Sequence, residues 1–130
     1  MAVRQSEQKI KARETFKGVQ NLLMPSFTPD LSELDEAGIR WDVKQSIAHG
    51  FFSTELTTQA GLTFEEAKRF LDIVVDEADG NIMVSPGIIF DSLDKNIEFL
   101  QYAEGAGADM AVLSYPSNYY PDSPEQIYQD

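Results

Sequence analysis

Hydroxyl and phenol side chains follow four short apolar runs in this sequence, at the points where predicted strands end. They stand in the segments PSFTPD, STELTTQAG, SPGII and SYPSNYYPDS, as Ser26, Thr28, Ser53, Thr54, Thr57, Thr58, Ser85, Tyr115, Tyr119 and Tyr120. Such groups bind carboxylates and carbonyls through hydrogen bonds, and a tyrosine can relay a proton. Serine and threonine also cap helices and close turns, and two adjacent tyrosines can pack against a neighbouring loop or subunit. The pattern is consistent with a small polar ligand, and a structural role is the alternative for each residue.

Charged side chains give fewer candidates for chemistry. Glu55 stands at the end of a predicted strand, either as an acid–base group or as an exposed carboxylate. His49 falls at the end of a predicted helix, where the dipole favours a cation, so we expect a structural or exposed position. Four acidic residues look like a metal cluster but lie on or just after one predicted helix, and most are expected to face solvent: Asp72, Asp76, Glu77 and Asp79. Neither GxGxxG nor GxxxxGK(S/T) occurs, so no phosphate loop is expected, and we expect no metal and no cofactor.

The composition excludes several classes of protein. Acidic residues outnumber basic ones 22 to 10, for a net charge of −12, which argues against nucleic acid and anionic membranes as partners. The absence of cysteine excludes disulfides, thiolate catalysis and cysteine-ligated metals. The first 17 residues carry charges throughout, and no apolar run approaches the ~20 residues of a membrane span. We therefore expect a soluble cytoplasmic protein.

The apolar pattern predicts a polar N-terminal helix at residues 1–17, followed by alternating strands and helices. Strands are predicted in VQNLLM, GFFSTELTT, NIMVSPGII and MAVLSY. Helix starts are predicted at Asp35, at the capping box of Thr63 and Glu66, at Asp91 or Ser92, and at Ser123 before Pro124. Residues 1–17 are thus expected to be an N-terminal helical extension, and residues 18–130 the N-terminal half of a (β/α)8 barrel, the architecture that the order of elements favours.

Three of these helices show an apolar face that we expect to pack in the core. The faces are Ile39, Val43 and Ile47 in the first, Ala67, Phe70, Leu71, Val74, Val75 and Ala78 in the second, and Leu93, Ile97 and Leu100 in the third.

Strands alternating with helices imply parallel strands joined by right-handed crossovers. The strands begin near Val19, Phe51, Asn81 and Met110, a spacing of roughly 30 residues that suggests repeated βα units. Two architectures fit this order: an open doubly wound sheet, or the first four βα units of a (β/α)8 TIM barrel truncated in the fourth barrel helix. The stop inside a well-capped helix favours the half barrel.

Three stretches resemble the dihydrodipicolinate synthase and N-acetylneuraminate lyase family. The segment GVQNLLMPSFTPD is similar to the family's first strand, and GLTFEEAKRFLDIVVDEADGNIMVSPG to its helix and third strand. The segment AEGAGADMAVLSYPSNYYPDSPEQIY is similar to its fourth strand, tyrosine-bearing loop and next helix start. Together they cover nearly everything from Gly18 to Asp130.

The resemblance implies a barrel enzyme that forms a Schiff base between a lysine and a 2-keto acid, usually pyruvate. In the family the lysine and the relay tyrosine lie on later strands, so this chain carries no Schiff-base lysine. The resemblance assigns substrate binding to Thr57 and Thr58. An alignment anchored on Leu62 and Thr63 instead places Glu55 and Leu56 at the family's two substrate-binding positions. It matches Tyr119 or Tyr120 to a catalytic phenol lent to a neighbouring subunit.

The resemblance thus implies the N-terminal part of an aldolase or dehydratase that acts on a small keto acid and aldehyde. In the family, the loop after the second strand contains Gly-Thr-Thr-Gly-Glu. The corresponding loop here, STELTTQAG, is shorter and lacks both glycines of that motif, so we expect a divergent substrate. A homo-oligomer, dimer or tetramer, is expected, and the 130-residue chain alone is expected to be inactive. The alternatives are a non-enzymatic or self-associating half barrel and an open α/β binding domain.

Overall fold

The computed structural model describes residues 2–115 and 120–129. The described strands are β1 Gln20–Leu23, β2 Ser53–Leu56, β3 Met83–Ile88 and β4 Val112–Leu113. The described helices are α1 Ala2–Thr15, α2 Glu36–Ala48, α3 Phe64–Ala78, α4 Leu93–Ala106 and α5 Pro124–Gln129. No helix among these residues is long and apolar enough to cross a membrane.

The four strands form one parallel sheet in the order β1-β2-β3-β4. One helix connects each strand to the next, and right-handed crossovers that always advance in one direction place these helices on the same face. A doubly wound sheet would reverse its strand order and carry helices on both faces. The structure therefore confirms the predicted α/β half barrel.

Side chains alternate along each strand and give the sheet two faces. The helix-covered face carries Asn21, Leu23, Thr54, Leu56, Val84, Pro86 and Ile88, and the opposite face carries Gln20, Leu22, Ser53, Glu55, Met83, Ser85 and Gly87. The first face is identified by Asn21, whose Nδ2 donates to Ser46 Oγ of α2 at 2.7 Å. The second is identified by Gln20, whose Nε2 donates to Ser53 Oγ at 3.0 Å.

The core lies between the helix-covered face and α2, α3 and α4. Its fully buried side chains include Leu56, Val84 and Ile88 from the sheet and Ile39, Val43, Phe70, Leu71, Val74, Phe99 and Ala103 from the helices. The predicted faces of α2 and α3 are confirmed. The sequence predicts a buried first strand, but Leu22 is 66% exposed because it lies on the opposite face of an edge strand.

The predicted core face of α4 is wrong. Leu93, Ile97 and Leu100 are exposed, and the buried positions of α4 are Asn96, Phe99 and Ala103. Phe99 stacks with the rings of Phe64, Phe90 and Tyr102, at centroid distances of 5.8, 4.9 and 6.3 Å. These aromatic contacts orient the helix with its leucine face toward the β4 edge of the sheet.

The helix caps follow the sequence closely. Thr63 Oγ1 accepts from the Glu66 amide and Glu66 Oε2 accepts from the Thr63 amide, both at 3.1 Å, which completes the capping box. Ser92, rather than Asp91, caps α4. Helix α3 ends at Ala78, two residues before Gly80, because Asp79 already takes the left-handed conformation with φ 43°.

Candidate functional site

The carboxyl ends of all four strands meet at one edge of the sheet. Four loops continue from this edge, and their described residues are 24–35, 57–63, 89–92, and 114–115 with 120–123. In (β/α)8 enzymes the active site is built at this edge, and the inward side chains of the strands point toward it. The hydroxyl-bearing segments of the sequence all come to this edge or run along the strands that lead to it.

Thr57 and Thr58 follow β2 and lie in different environments. The Thr57 amide donates to the Leu23 carbonyl at 3.0 Å, which extends the strand alternation and places Thr57 on the same face as Glu55. Its Oγ1 is buried and has no hydrogen-bond partner among the described residues. Thr58 is 2% exposed, and its hydroxyl donates to the Gly87 carbonyl at 2.5 Å, which ties the loop to β3. The Thr57 hydroxyl is therefore the one whose hydrogen remains available to a ligand.

Glu55 is half-buried and lies at the centre of the opposite face, paired in register with Leu22 and Ser85. Its Oε1 lies 3.6 Å from the point where a β-carbon on residue 87 would be, and Gln59 Oε1 lies 3.9 Å from that point. Because residue 87 is a glycine, it places no side chain between these two oxygen atoms. Two oxygen atoms that can accept hydrogen bonds thus converge beside Gly87.

Other strand hydroxyls divide between the two faces. Ser85 is fully buried on the opposite face, and its Oγ has no partner among the described residues. Thr54 Oγ1 also has none, but Thr54 lies on the helix-covered face and is separated from the site by the sheet. Ser53 is held by the Gln20 amide. Of these three, Ser85 is the hydroxyl with both the right face and a free hydrogen-bonding capacity.

The loop after β1 uses its hydroxyls to close itself. Thr28 Oγ1 and Ser32 Oγ donate to Asp30 Oδ1 at 2.7 and 2.8 Å. These hydrogen bonds lower the pKa of Asp30 to about 2, with the Thr28 bond as the largest cause. Ser26 Oγ donates to Asp42 Oδ2 at 3.4 Å. Ser26 and Thr28 therefore have the structural role that the sequence left open as the alternative to ligand binding.

Asn96 organises the edge and was not found from the sequence. It is 8% exposed; its Oδ1 accepts from the Phe90 amide at 2.7 Å, and its Nδ2 donates to the Ser114 carbonyl at 3.3 Å. It thus fixes the loop after β3 to the end of β4. The signal in the sequence was its core spacing with Phe99 and Ala103 on α4.

The tyrosines of the last loop are only partly described. Tyr119 lies outside the described residues, so its predicted role stays a prediction. Tyr120 is 82% exposed. Tyr115 lines a groove of about 300 Å³ together with Leu93, Asn96, Ile97, Leu100, Leu113 and Ser114. The described part of this loop therefore places one phenol against α4 and one in solvent.

A second cleft, of about 430 Å³, lies between the loops after β2 and β3. It is lined by residues that include Thr58, Gln59, Phe64, Phe90, Asp91 and Lys95. Lys95 Nζ lies 4.3 Å from the centre of the Phe64 ring and 3.4 Å from Glu98 Oε2. This lysine is thus held by a cation–π contact and an ion pair on α4, rather than aimed at the opposite face of the sheet.

The acidic residues of α3 bind other side chains of the chain. Asp76 and Glu77 pair with Arg40 at 2.7 and 3.0 Å, and Asp72 accepts from the Tyr102 hydroxyl at 2.5 Å. The hydrogen bond to Asp72, with burial as a smaller cause, raises the pKa of Tyr102 to about 12. Within the described residues no group of three acidic or histidine side chains could hold a metal ion.

These features define an α/β half barrel with a polar edge at the carboxyl ends of its strands. No family model matches the chain. The chain is 32% identical over 115 residues to 4-hydroxy-tetrahydrodipicolinate synthase of Methanopyrus kandleri. This match covers 85% of the chain and 38% of that relative. The corresponding enzyme of Methanothermobacter thermautotrophicus is 32% identical over 105 residues, covering 78% of the chain and 37% of the relative. The chain is thus similar to 4-hydroxy-tetrahydrodipicolinate synthases over most of its own length, and it spans less than half the length of these relatives.

Solved structures agree on the fold. The dihydrodipicolinate synthase of Oceanobacillus iheyensis superposes with a TM-score of 0.79 at 24% identity, covering 92% of this chain and 41% of that one. The N-acetylneuraminate lyase of Fusobacterium nucleatum gives 0.78 at 23% identity, covering 88% and 42%. The described strands and helices therefore correspond to the N-terminal part of these barrels.

Proposed function

We propose that this chain is the N-terminal part of a lyase that forms a Schiff base with a 2-keto acid such as pyruvate and then joins or cleaves a second molecule. The observation that carries the proposal is the 32% identity over 85% of the chain to a 4-hydroxy-tetrahydrodipicolinate synthase. The half barrel supports it, since the polar edge of the sheet lies where such barrels build an active site. The substrate is proposed to differ from that of the named relatives.

In the proposed reaction, a lysine amine attacks the keto carbon and water leaves, which gives a cationic iminium that accepts an electron pair. The lysines with described side chains do not occupy a strand: Lys44, Lys68 and Lys95 lie on α2, α3 and α4, and Lys9, Lys11 and Lys17 lie in or just after α1. The reactive lysine is therefore proposed to come from a segment other than residues 1–130. The 130-residue chain alone should be inactive, and the proposed chemistry requires no metal or cofactor.

This chain would supply groups that hold the substrate. We propose that Thr57 donates its hydroxyl hydrogen to the carboxylate of the keto acid, because this hydrogen has no other acceptor among the described residues. Thr58 supports the loop through its bond to Gly87 and can offer a ligand only an acceptor lone pair. Tyr119 and Tyr120 are proposed to serve this site or that of a neighbouring subunit in a cytoplasmic homo-oligomer.

The test is borohydride trapping with pyruvate on the longest natural product that contains this chain. Mass spectrometry should find one reduced adduct on a lysine other than the six in residues 1–130. The isolated 130-residue chain is the control and should trap nothing. A natural product that gives no adduct, or an adduct on Lys68 or Lys95, would contradict the proposed function.

A second candidate is a self-associating half barrel without lyase activity. It is favoured by the exposure of apolar residues on both edge strands, since Leu22 of β1 is 66% exposed and Leu113 of β4 is 65% exposed. Two copies could cover these residues. A mass of two chains in solution, together with no pyruvate adduct, would favour this candidate, whereas a stable monomer would exclude it.

A further inference from the structure

The opposite face of the sheet is polar at its centre. Interiors of (β/α)8 barrels are usually filled by layers of branched apolar side chains. Here the row that crosses the middle strands contains Leu22, Glu55 and Ser85. Met83 precedes Ser85 on β3, and Gly87 follows it at the carboxyl end. On β2 the polar side chains of this face run from Ser53, which is held by Gln20, through Glu55 toward the site edge.

Within the part of the chain that the structure describes, the Glu55 carboxylate has no partner of opposite charge. Among the described residues, no ion pair or hydrogen bond engages it. Salt bridges of the described part instead join helix residues, such as Arg40 with Glu36 and Lys68 with Glu65. A half-buried carboxylate without a partner retains the capacity to accept several hydrogen bonds. It also repels a second negative charge.

Glu55 and Gln59 both approach Gly87. Their Oε1 atoms lie 3.6 and 3.9 Å from the position of a β-carbon on that residue, whereas the Leu56 carbonyl lies 3.0 Å from it. All three atoms are oxygens, but the Leu56 carbonyl belongs to the paired strands β2 and β3, so Glu55 and Gln59 supply the side-chain acceptors here. The Ser85 hydroxyl, fully buried on the same face, has no partner among the described residues. A donor group that lies between Glu55 and Gln59 therefore meets two side-chain acceptors.

We propose that Glu55 and Gln59 bind a hydrogen-bond-donating group of the second substrate, a hydroxyl or an ammonium, and select against a carboxylate at the same place. This inference rests on the proposed lyase function and specifies its second substrate. Thr57, the proposed contact of the keto acid carboxylate, lies two residues farther along the strand, about 7 Å away. The two ends of the site would thus bind groups of different chemistry.

The experiment uses the longest natural product that contains this chain and three small aldehydes as partners of pyruvate. Glycolaldehyde carries a hydroxyl, aminoacetaldehyde an ammonium and glyoxylate a carboxylate. The variants are Glu55→Gln, which keeps the shape and removes the charge, and Glu104→Gln, which makes the same substitution at an exposed carboxylate near the end of α4, outside the site. Circular dichroism confirms that each variant folds.

We expect wild type to prefer glycolaldehyde or aminoacetaldehyde over glyoxylate by about tenfold or more in kcat/KM, since a charged acceptor discriminates strongly between donor and anion. Glu55→Gln should reduce this ratio by about tenfold, and Glu104→Gln should leave it unchanged. A large decrease in kcat/KM for aminoacetaldehyde in Glu55→Gln identifies the ammonium as the bound group. A smaller decrease in kcat/KM for glycolaldehyde alone in Glu55→Gln identifies the hydroxyl as the bound group. An unchanged ratio in Glu55→Gln, or the same change in both variants, would overturn the inference.

A second measurement separates this inference from the proposed function. Ligand-observed NMR titrations with ethylene glycol, ethanolamine and glycolate require no turnover and no Schiff base. A preference for ethylene glycol or ethanolamine over glycolate that Glu55→Gln abolishes supports the inference, even where borohydride traps no pyruvate. The same order of affinities in wild type and Glu55→Gln would refute it, even where pyruvate is trapped.

Discussion

Thr57 and Thr58 are neighbours in sequence, but substituting each with valine should have opposite effects on stability. Valine has nearly the shape of threonine and lacks the hydroxyl. In Thr58→Val the Gly87 carbonyl loses a buried donor, which should cost about 1–3 kcal/mol. In Thr57→Val the change removes a buried hydroxyl that has no partner among the described residues, so stability should stay the same or rise by up to about 1 kcal/mol.

The assay is urea denaturation of the longest natural product, followed by circular dichroism and without substrate. The two midpoints should differ by an amount equivalent to about 2 kcal/mol, with Thr58→Val lower. Thr58→Ser is the matched control, because it keeps the donor and loses only a methyl group, worth about 1 kcal/mol. Equal midpoints for the two valine variants, or a serine variant less stable than Thr58→Val, would refute the reasoning.

Three further predictions concern the scaffold around the site. Thr63→Ala removes the cap of α3 and should cost about 1 kcal/mol in urea denaturation; an unchanged midpoint would contradict the capping box. The pKa of Tyr102 is raised from 10.0 to about 12, so its hydrogen bond to Asp72 should stabilise the fold below pH 10 and lose this effect as the pH rises to about 12. Phenolate absorbance, taken as the difference from Tyr102→Phe, should show that Asp72→Asn lowers this pKa, and an unmoved titration would disprove the link. Phe99→Ala should cost about 3–5 kcal/mol, against less than about 0.5 for the exposed Gln101→Ala, and similar costs for the two would be inconsistent with the observed packing of α4.

The helices show how far the sequence predicts this fold. In α3, the capping box and the apolar stripe indicate the same helix, so both its first residue and its buried face could be predicted. In α4, two sets of positions have helical spacing: Leu93, Ile97 and Leu100, and Asn96, Phe99 and Ala103. Hydropathy favours the first set, yet the second is buried. The reason is that Asn96 binds backbone groups of two loops, and those groups become neighbours only in the folded chain.

The site was predictable by location rather than by residue. Repeated βα units indicate that the carboxyl ends of the strands carry the site, and Thr57 was named from the sequence. The proposed role of Glu55 depends on the alternation of side chains along β2. Because Leu56 is buried against the helices, its neighbours Glu55 and Thr57 lie on the opposite face of the sheet. Its approach to Gly87 required the distances between β2 and β3. The sequence contains no local pattern that reports such a distance between strands.

The positions of the cationic side chains restrict how this part of the protein can orient a substrate. Hydrogen bonds to Asp76, Glu36 and Glu77 raise the pKa of Arg40, which keeps it charged on the helix layer. Because Lys68 and Lys95 are also paired on helices, the proposed carboxylate contact at Thr57 must come from a neutral donor. Glu55 then favours one orientation, with the carboxylate toward Thr57 and a donating group toward Gly87.

This orientation ties the two site variants to different substrates. Thr57→Val should raise KM for pyruvate by roughly tenfold and leave the preference among aldehydes unchanged, because it removes a hydrogen bond to a charged group. Glu55→Gln should change that preference and leave KM for pyruvate nearly unchanged. If either variant alters both quantities to a similar degree, the two groups do not bind separate ends of the substrate pair, and the orientation derived from Glu55 and Thr57 is wrong.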